Sequence, residues 1–187
     1  MKKLRLICTY ECNRSCKGCC NKQSSFTQDN IPTLAREKFL HEIDNYKQVI
    51  ITGGEPCLFL PELHTLISVI LIAGCKEIIV YTAKTDWSIE DFLFLVARVD
   101  GITLTLHDQR SADEFCDIMK KLKETKKFNP LIGISPRLNI FEGITLDPDV
   151  TEFIENIWQI KSNMKWIKNC PLPKSETLMK LEDLWIK

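Results

Sequence analysis

The sequence predicts an α/β fold of parallel strands, an incomplete (β/α)6 barrel forming one domain over residues 1–187. Three observations predict it. Short β-rich runs alternate with amphipathic helical stretches from end to end, and strict alternation implies parallel strands joined by right-handed crossovers. No Gly/Ser- or Pro-rich linker interrupts the series. At roughly 31 residues per unit, a chain of 187 residues holds about six units where a closed barrel of eight needs roughly 250.

The strands are expected at Leu4–Cys8, Val49–Thr52, Glu77–Thr82, Ile102–His107, Leu131–Ser135 and Lys165–Lys168. Between them, Ala35, Phe39, Ile43 and Tyr46 mark a first helix after Pro32. Leu63, Leu66, Ile67, Ile70 and Leu71 keep the spacing of one helix face, between Pro61 at its start and Gly74 at its end. Ser88 with Asp91, and Ser111 with Glu114, read as helix caps with their third-position acceptors. Asp147-Pro148 opens a further helix carrying Val150, Phe153, Ile154 and Ile157. A last short helix is expected from Ser175 through Leu178, Leu181 and Leu184.

Composition excludes several functions. Basic and acidic residues number 25 each, a formal net charge of zero, so nothing advertises a nucleic-acid partner. The longest apolar stretch, Leu63–Ala73, is broken by His64, Thr65 and Ser68, well short of the ~20 residues of a membrane span. The Met1–Tyr10 start has an apolar run too short for a signal-peptide core, so a reducing, cytoplasmic address is expected. There nine cysteines point to metal or redox chemistry rather than a disulfide framework.

Four of the nine fall in Cys12-Asn13-Arg14-Ser15-Cys16-Lys17-Gly18-Cys19-Cys20-Asn21, the loop after the first strand. Cys12, Cys16 and Cys19 can converge on one centre, and three thiolates on a four-iron cluster leave one iron open to a non-protein ligand. Arg14 and Lys17 should lower the thiol pKa values there. Cys20 is a second-choice ligand. Zinc is the competing metal, although its usual paired CxxC pattern is missing. Cys8, Cys57, Cys75, Cys116 and Cys170 lie in or beside apolar elements and read as small buried hydrophobes. The second strand runs into Gly53-Gly54-Glu55-Pro56, two glycines that permit close backbone approach to a ligand and a proline that fixes the exit of the turn.

Together these motifs resemble the radical S-adenosylmethionine superfamily, whose Cys-x3-Cys-x2-Cys loop is matched by Cys12, Cys16 and Cys19, and whose second-strand signature is matched by Gly53, Gly54, Glu55 and Pro56. The resemblance implies a [4Fe-4S] cluster, S-adenosyl-L-methionine bound through its amino and carboxylate groups at the open iron, and the Gly53–Pro56 backbone holding the amino group. It implies reductive cleavage to methionine and a 5′-deoxyadenosyl radical that takes hydrogen from a substrate. An electron donor such as flavodoxin or ferredoxin is implied too. The family often carries an aromatic residue before the third cysteine, packing on the adenine. Here that position is Gly18, so adenine contacts must come from elsewhere. Cys-Lys-Gly-Cys-Cys-Asn is similar to the variant in activases of glycyl-radical enzymes, such as that of anaerobic ribonucleotide reductase; the substrate is accordingly a small molecule or a glycyl-radical protein.

Beyond the signature, Tyr81 and Thr82 close the third expected strand, where a hydroxyl would reach the cofactor ribose. His107 ends the fourth and would orient a substrate or relay a proton. Arg137, following the fifth, would pair with the cofactor carboxylate or a substrate anion.

Overall fold

The computed structural model describes residues 2–23, 26, 28–125, 133–168 and 170–182. The chain is α/β with parallel strands, as the alternation predicts, and folds as two compact units, Met1–Tyr81 with Trp166–Lys187, and Thr82–Lys165.

In the first unit β1 (Lys3–Thr9), β2 (Thr33–Leu34), β3 (Gln48–Gly53), β4 (Glu77–Thr82, its last residue in the second unit) and β8 (Glu176–Leu181) lie in the order β2-β8-β1-β3-β4. β1 pairs in parallel with β3 on one side, Leu4 opposite Val49 and Leu6 opposite Ile51, and with β8 on the other. Leu4, Leu6, Val49, Ile51, Ile78 and Val80 are all fully buried, as a sheet covered on both faces requires. Helix α1 (Phe39–Ile43) and helix α2 (Leu60–Ile72) of this unit are in contact with each other and bury apolar side chains. From α2, Leu63, Leu66, Ile67 and Ile70 face inward as their spacing predicts, whereas Leu71, expected on the same face, lies at its edge and is 49% exposed. The first helix is shorter than expected, five residues after a 3-10 turn at Arg36–Lys38.

The second unit carries β5 (Gly101–Leu106), β6 (Ser135–Phe141) and β7 (Gln159–Met164), with β6 parallel to both others. Helices α3 (Ile89–Val96), α4 (Gln109–Glu124) and α5 (Pro148–Ile154) belong to it. Ser88 caps α3 by accepting from the Asp91 N–H, as expected. In α4 the cap is Asp108 instead. Its carboxylate accepts from the Ser111 N–H at 2.8 Å, and Ser111 is the third-position partner of a capping box. A Ser cap at 111 is therefore corrected by one turn; an aspartate and a serine three apart satisfy two orphan amides reciprocally, which a lone serine cannot.

Three further expectations change. Of the strand expected at 131–135, residues 131 and 132 lie outside the described residues, and the strand observed is Ser135–Phe141. Residues 165–168 are not a strand; the preceding Gln159–Met164 is, paired with β6. The helix expected from Ser175 is strand β8, with residues 183 and 184 outside the described set. Thr177, Leu178 and Met179 meet Leu4, Arg5 and Leu6 in the ladder, so the open edge of β1 overrides a leucine spacing that suits either structure. With β2, the described residues form eight strands rather than six.

An ion pair fastens β8. Both Nε and a terminal nitrogen of Arg5 donate to one Glu176 oxygen at 2.7 Å, with the two side chains only 20% and 9% exposed. Removing the carboxylate would strand a largely buried guanidinium. Glu176→Ala is expected to lower the unfolding free energy by about 2 kcal/mol, read from urea melts, and to raise amide exchange through Thr177–Leu181 while β5 is unaffected.

Candidate functional site

Both motif loops leave the same end of two adjacent parallel strands, where open α/β sheets collect ligands. The register of β1 on β3 slips between Ile7 and Thr9, which turns the chain, and pairing continues beyond the strands. The Gly54 N–H donates to the Thr9 carbonyl at 2.7 Å and the Glu55 N–H to the Glu11 carbonyl at 2.8 Å. A Cβ on Gly53 would strike the Thr9 carbonyl oxygen, and one on Gly54 the Glu11 carbonyl oxygen. Gly53 also sits at φ 139°, which side chains rarely adopt. The two glycines thus let the turn lie against the stem of the cysteine loop.

Glu55 is 2% exposed. Its carboxylate accepts from the Cys57 N–H at 3.1 Å and caps the 3-10 turn Pro56–Leu58, with Pro56 in the first position. From the other side, the Asn21 side-chain amide donates to the Gly53 carbonyl at 2.5 Å. The two loops are therefore tied by backbone pairs at their stems and by a side chain at the far end.

Within the cysteine loop, residues 17 and 18 form a turn that the Cys19 N–H closes on the Cys16 carbonyl, followed by a 3-10 turn over Cys20–Lys22. Cys12, exposed, and Cys16 and Cys19, half-buried, are outside any disulfide. Burial pushes the Cys12 and Cys16 thiols up from their ordinary values. Cys19 and Cys12 push Cys16 up further, and Glu55 and Cys19 do the same to Cys12. The Arg14 backbone N–H, donating to Cys12 Sγ, pulls Cys12 down and is second only to burial, while the Arg14 guanidinium pulls both thiols down more weakly. For Cys12 and Cys16 the expected lowering is thus reversed, because desolvation outweighs the hydrogen bond and the nearby cation.

The three thiols all lie on the one short loop that the Cys19 N–H folds back on the Cys16 carbonyl. Among the described residues no three His, Cys, Asp or Glu side chains close to the spacing of a single ion, which in a zinc site holds each thiolate at ~2.3 Å from the metal. A four-iron cube is larger and takes its thiolates from further apart. Cys12, Cys16 and Cys19, three cysteines of one loop outside any disulfide, are candidate donors to such a cluster.

A family model described as a 4Fe-4S single cluster domain matches residues 4–127, about two thirds of the chain and both motifs. The chain belongs to this 4Fe-4S single cluster domain family. It is a family associated with radical S-adenosylmethionine proteins, and the zinc reading gives way to iron–sulfur. No curated protein matches the chain.

The remaining cysteines of the cluster domain divide in a way the sequence does not show. Cys8, Cys57, Cys75 and Cys116 are buried and outside any disulfide, as expected of small hydrophobes. Cys20 and Cys170 are joined in a disulfide with their Cα atoms 5.7 Å apart, which corrects both the second-choice ligand and the lone hydrophobe. Their sulfurs pack on Ile7, Phe26 and Ile31 with Tyr10 and Leu178. Gln23 holds Cys170 as well, its side-chain oxygen accepting from the Cys170 N–H at 2.6 Å and its nitrogen donating to Cys170 Sγ.

Tyr81 stands at the end of β4, with the Arg5 guanidinium 5.3 Å from its ring centre. Thr82 is 6% exposed and its hydroxyl accepts from the Lys84 N–H. His107, just past β5, packs edge-on against Phe141 at 5.1 Å, while its backbone N–H donates to the Ser111 hydroxyl. Arg137 is exposed at the third position of β6, so the later start of that strand places it near the strand's beginning rather than in the loop beyond its end. Asn21, Gln23 and Trp166 join the site neighbourhood without having been read as site residues, as does Cys170, read as a small buried hydrophobe. Only Asn21 had a signal, as the last residue of the Cys-Lys-Gly-Cys-Cys-Asn run.

Gly54 lies outside the left-handed region, so an added methyl tests space alone. Gly54→Ala is expected to cost about 3 kcal/mol through the clash with Glu11, and to lower iron uptake on anaerobic reconstitution. Gly143→Ala, at φ 82° with open space around it, is expected to cost about 1 kcal/mol in the same melts with iron uptake intact.

Proposed function

We propose that this cluster domain is a radical S-adenosylmethionine enzyme, with the partial-barrel arrangement of that superfamily, and that it reductively cleaves S-adenosylmethionine. The observation that carries the reading is the tie between the three-thiol loop and the Gly53–Pro56 turn. A plain electron-carrying module needs the thiols alone and has no use for a glycine turn fastened to their stem.

Cys12, Cys16 and Cys19 would hold the [4Fe-4S] cluster, and Cys20, already bonded to Cys170, supplies no fourth thiolate. When bound, the reduced cluster supplies one electron that breaks the sulfonium carbon–sulfur bond, giving methionine and a 5′-deoxyadenosyl radical, which becomes 5′-deoxyadenosine on taking a hydrogen atom from the substrate. The electron comes from a flavodoxin- or ferredoxin-class donor. The turn's own polarity suits the methionine ammonium. The Gly54 and Glu55 N–H groups are occupied by Thr9 and Glu11 and Pro56 has none, so the turn meets a ligand as a hydrogen-bond acceptor. Glu55, buried and capping the following turn, fixes that orientation.

Alanine at Cys12, Cys16 or Cys19 is expected to abolish the reconstituted cluster, measured as iron per chain and charge-transfer absorption, while Cys57→Ala and Cys116→Ala retain it. The reconstituted wild-type chain, reduced with dithionite, is expected to release methionine and 5′-deoxyadenosine in equal amounts by anaerobic chromatography. A fully loaded cluster with no deoxyadenosine above a cluster-free control would reduce the chain to an electron-transfer module.

A further inference from the structure

We propose that the Cys20–Cys170 disulfide is a thiol–disulfide exchange site, opened by an external dithiol reductant that attacks Cys20 and expels Cys170. The bond joins the residue after Cys19 to a segment 150 positions away, in a chain whose other seven cysteines stand outside any disulfide. An iron–sulfur site needs its cysteines as thiolates. In surroundings that keep thiols reduced, a disulfide is characteristically transient, catalytic or redox-sensing rather than a permanent brace. One disulfide beside three candidate cluster ligands is thus placed for chemistry, and its contacts give that chemistry a direction.

Both cysteines are half-buried at the rim of a small apolar cluster of Ile7, Phe26 and Ile31, so neither is sealed in the interior as Cys8 and Cys57 are. The two sulfurs differ in their surroundings. Gln23 donates a side-chain N–H to Cys170 Sγ at 3.3 Å, while its side-chain oxygen accepts from the Cys170 N–H at 2.6 Å. The second bond orients the amide so that the first meets the sulfur. Cys20 Sγ has no such donor among the described residues. A donor on sulfur favours the thiolate, and the sulfur better able to carry that charge is the one that leaves faster. Cys170 is therefore the leaving group and Cys20 the sulfur attacked. Arg14, Lys17 and Lys22 place positive charge along the loop that holds Cys20, which draws in an anionic nucleophile.

The electrons come from the reductant. Its thiolate forms a mixed disulfide with Cys20 as the Cys20–Cys170 bond breaks, and Cys170 departs as a thiolate that takes up a proton. The second thiol of the reductant then displaces Cys20, so the reductant leaves as its own disulfide and the chain keeps two thiols. Cys20 returns to the loop as a fourth thiol next to Cys19. The segment carrying Trp166, whose ring packs on Gly18, loses its covalent tether to the loop. The state of the pair sets both how many thiols the loop offers and what is fastened across it.

The test treats the cluster-loaded chain anaerobically with limiting reduced glutathione, a monothiol that halts at the mixed disulfide. The reaction is quenched in acid, open thiols are alkylated, and both cysteines are mapped by peptide mass spectrometry. Glutathione is expected on Cys20 and the alkyl group on Cys170, in roughly fivefold excess or more over the reverse. Glutathione chiefly on Cys170, or a pair that stays oxidised in excess dithiothreitol while the chain is folded, overturns the proposal. Gln23→Met keeps the length of the side chain and removes the donor. It is expected to bring the preference close to one, a change in the position of attack that a merely bracing Gln23 would not produce, and an unchanged preference overturns the leaving-group assignment. A further measurement needs no variant. Amide exchange in the dithiothreitol-reduced wild type is expected to rise through residues 16–23 and not in Gln48–Gly53, and equal exchange in both redox states overturns the tether. None of these readouts involves S-adenosylmethionine, so they stand or fall apart from the cofactor reading.

Discussion

Two backbone hydrogen bonds beyond the ends of β1 and β3, Gly54 to Thr9 and Glu55 to Glu11, are the constraint on which the rest of the site depends. A parallel ladder normally ends where side chains force the strands apart. Here glycine at 53 and 54 removes the atoms that would strike the Thr9 and Glu11 carbonyls, so the pairing runs on into the loops. The cysteine loop therefore starts from a stem with a fixed direction, and Cys12 lies one residue beyond it. Asn21 closes the far end on the Gly53 carbonyl. Together these contacts fix a nine-residue stretch of irregular chain at both of its ends.

What could be read in advance follows the range of the interaction. β1, β3, β4 and β5 are apolar runs of strand length, and the faces of α2 and α3 repeat at helical spacing, so each declares itself within a dozen residues. The cysteine triplet and the Gly53–Pro56 turn are equally local. β8 was illegible because Leu178 and Leu181 suit a helix as well as a strand, and the choice was made by the edge of β1, more than 170 positions earlier. The Cys20–Cys170 bond spans 150 residues. Trp166 lies on Gly18 at a similar distance. In each case the sequence shows one partner without a sign of the other.

These three long-range features converge on one region. β8 brings the end of the chain alongside β1, and the disulfide, Gln23 and Trp166 then attach the segment before β8 to the loop that follows β1. Topology makes this economical. In a parallel sheet the next strand runs the same way, so a segment feeding β8 must first return across the structure, and a loop left at the end of β1 can be covered on that return. The cover is covalent at one point, polar at a second and aromatic at a third.

The pairing of Cys20 bears directly on the chemistry of the loop. Four adjacent thiols could saturate all four irons of a cubane cluster, and a saturated cluster passes electrons but offers no iron to a ligand. With Cys20 bonded to Cys170 and packed on Ile7, Phe26 and Ile31, three thiols remain in the loop. Cys8, Cys57, Cys75 and Cys116 are buried in the apolar interior, and Cys8, fully buried, has its thiol pushed well above the ordinary range by desolvation, which opposes thiolate formation. Two different arrangements thus leave Cys12, Cys16 and Cys19 as the loop thiols outside a disulfide: Cys20 is withdrawn into the bond with Cys170, and Cys8, Cys57, Cys75 and Cys116 are withheld by burial. The same disulfide that withdraws Cys20 from the loop fastens the segment in which Trp166 lies against Gly18, so one cross-link fixes both the thiols that remain and the packing beside them.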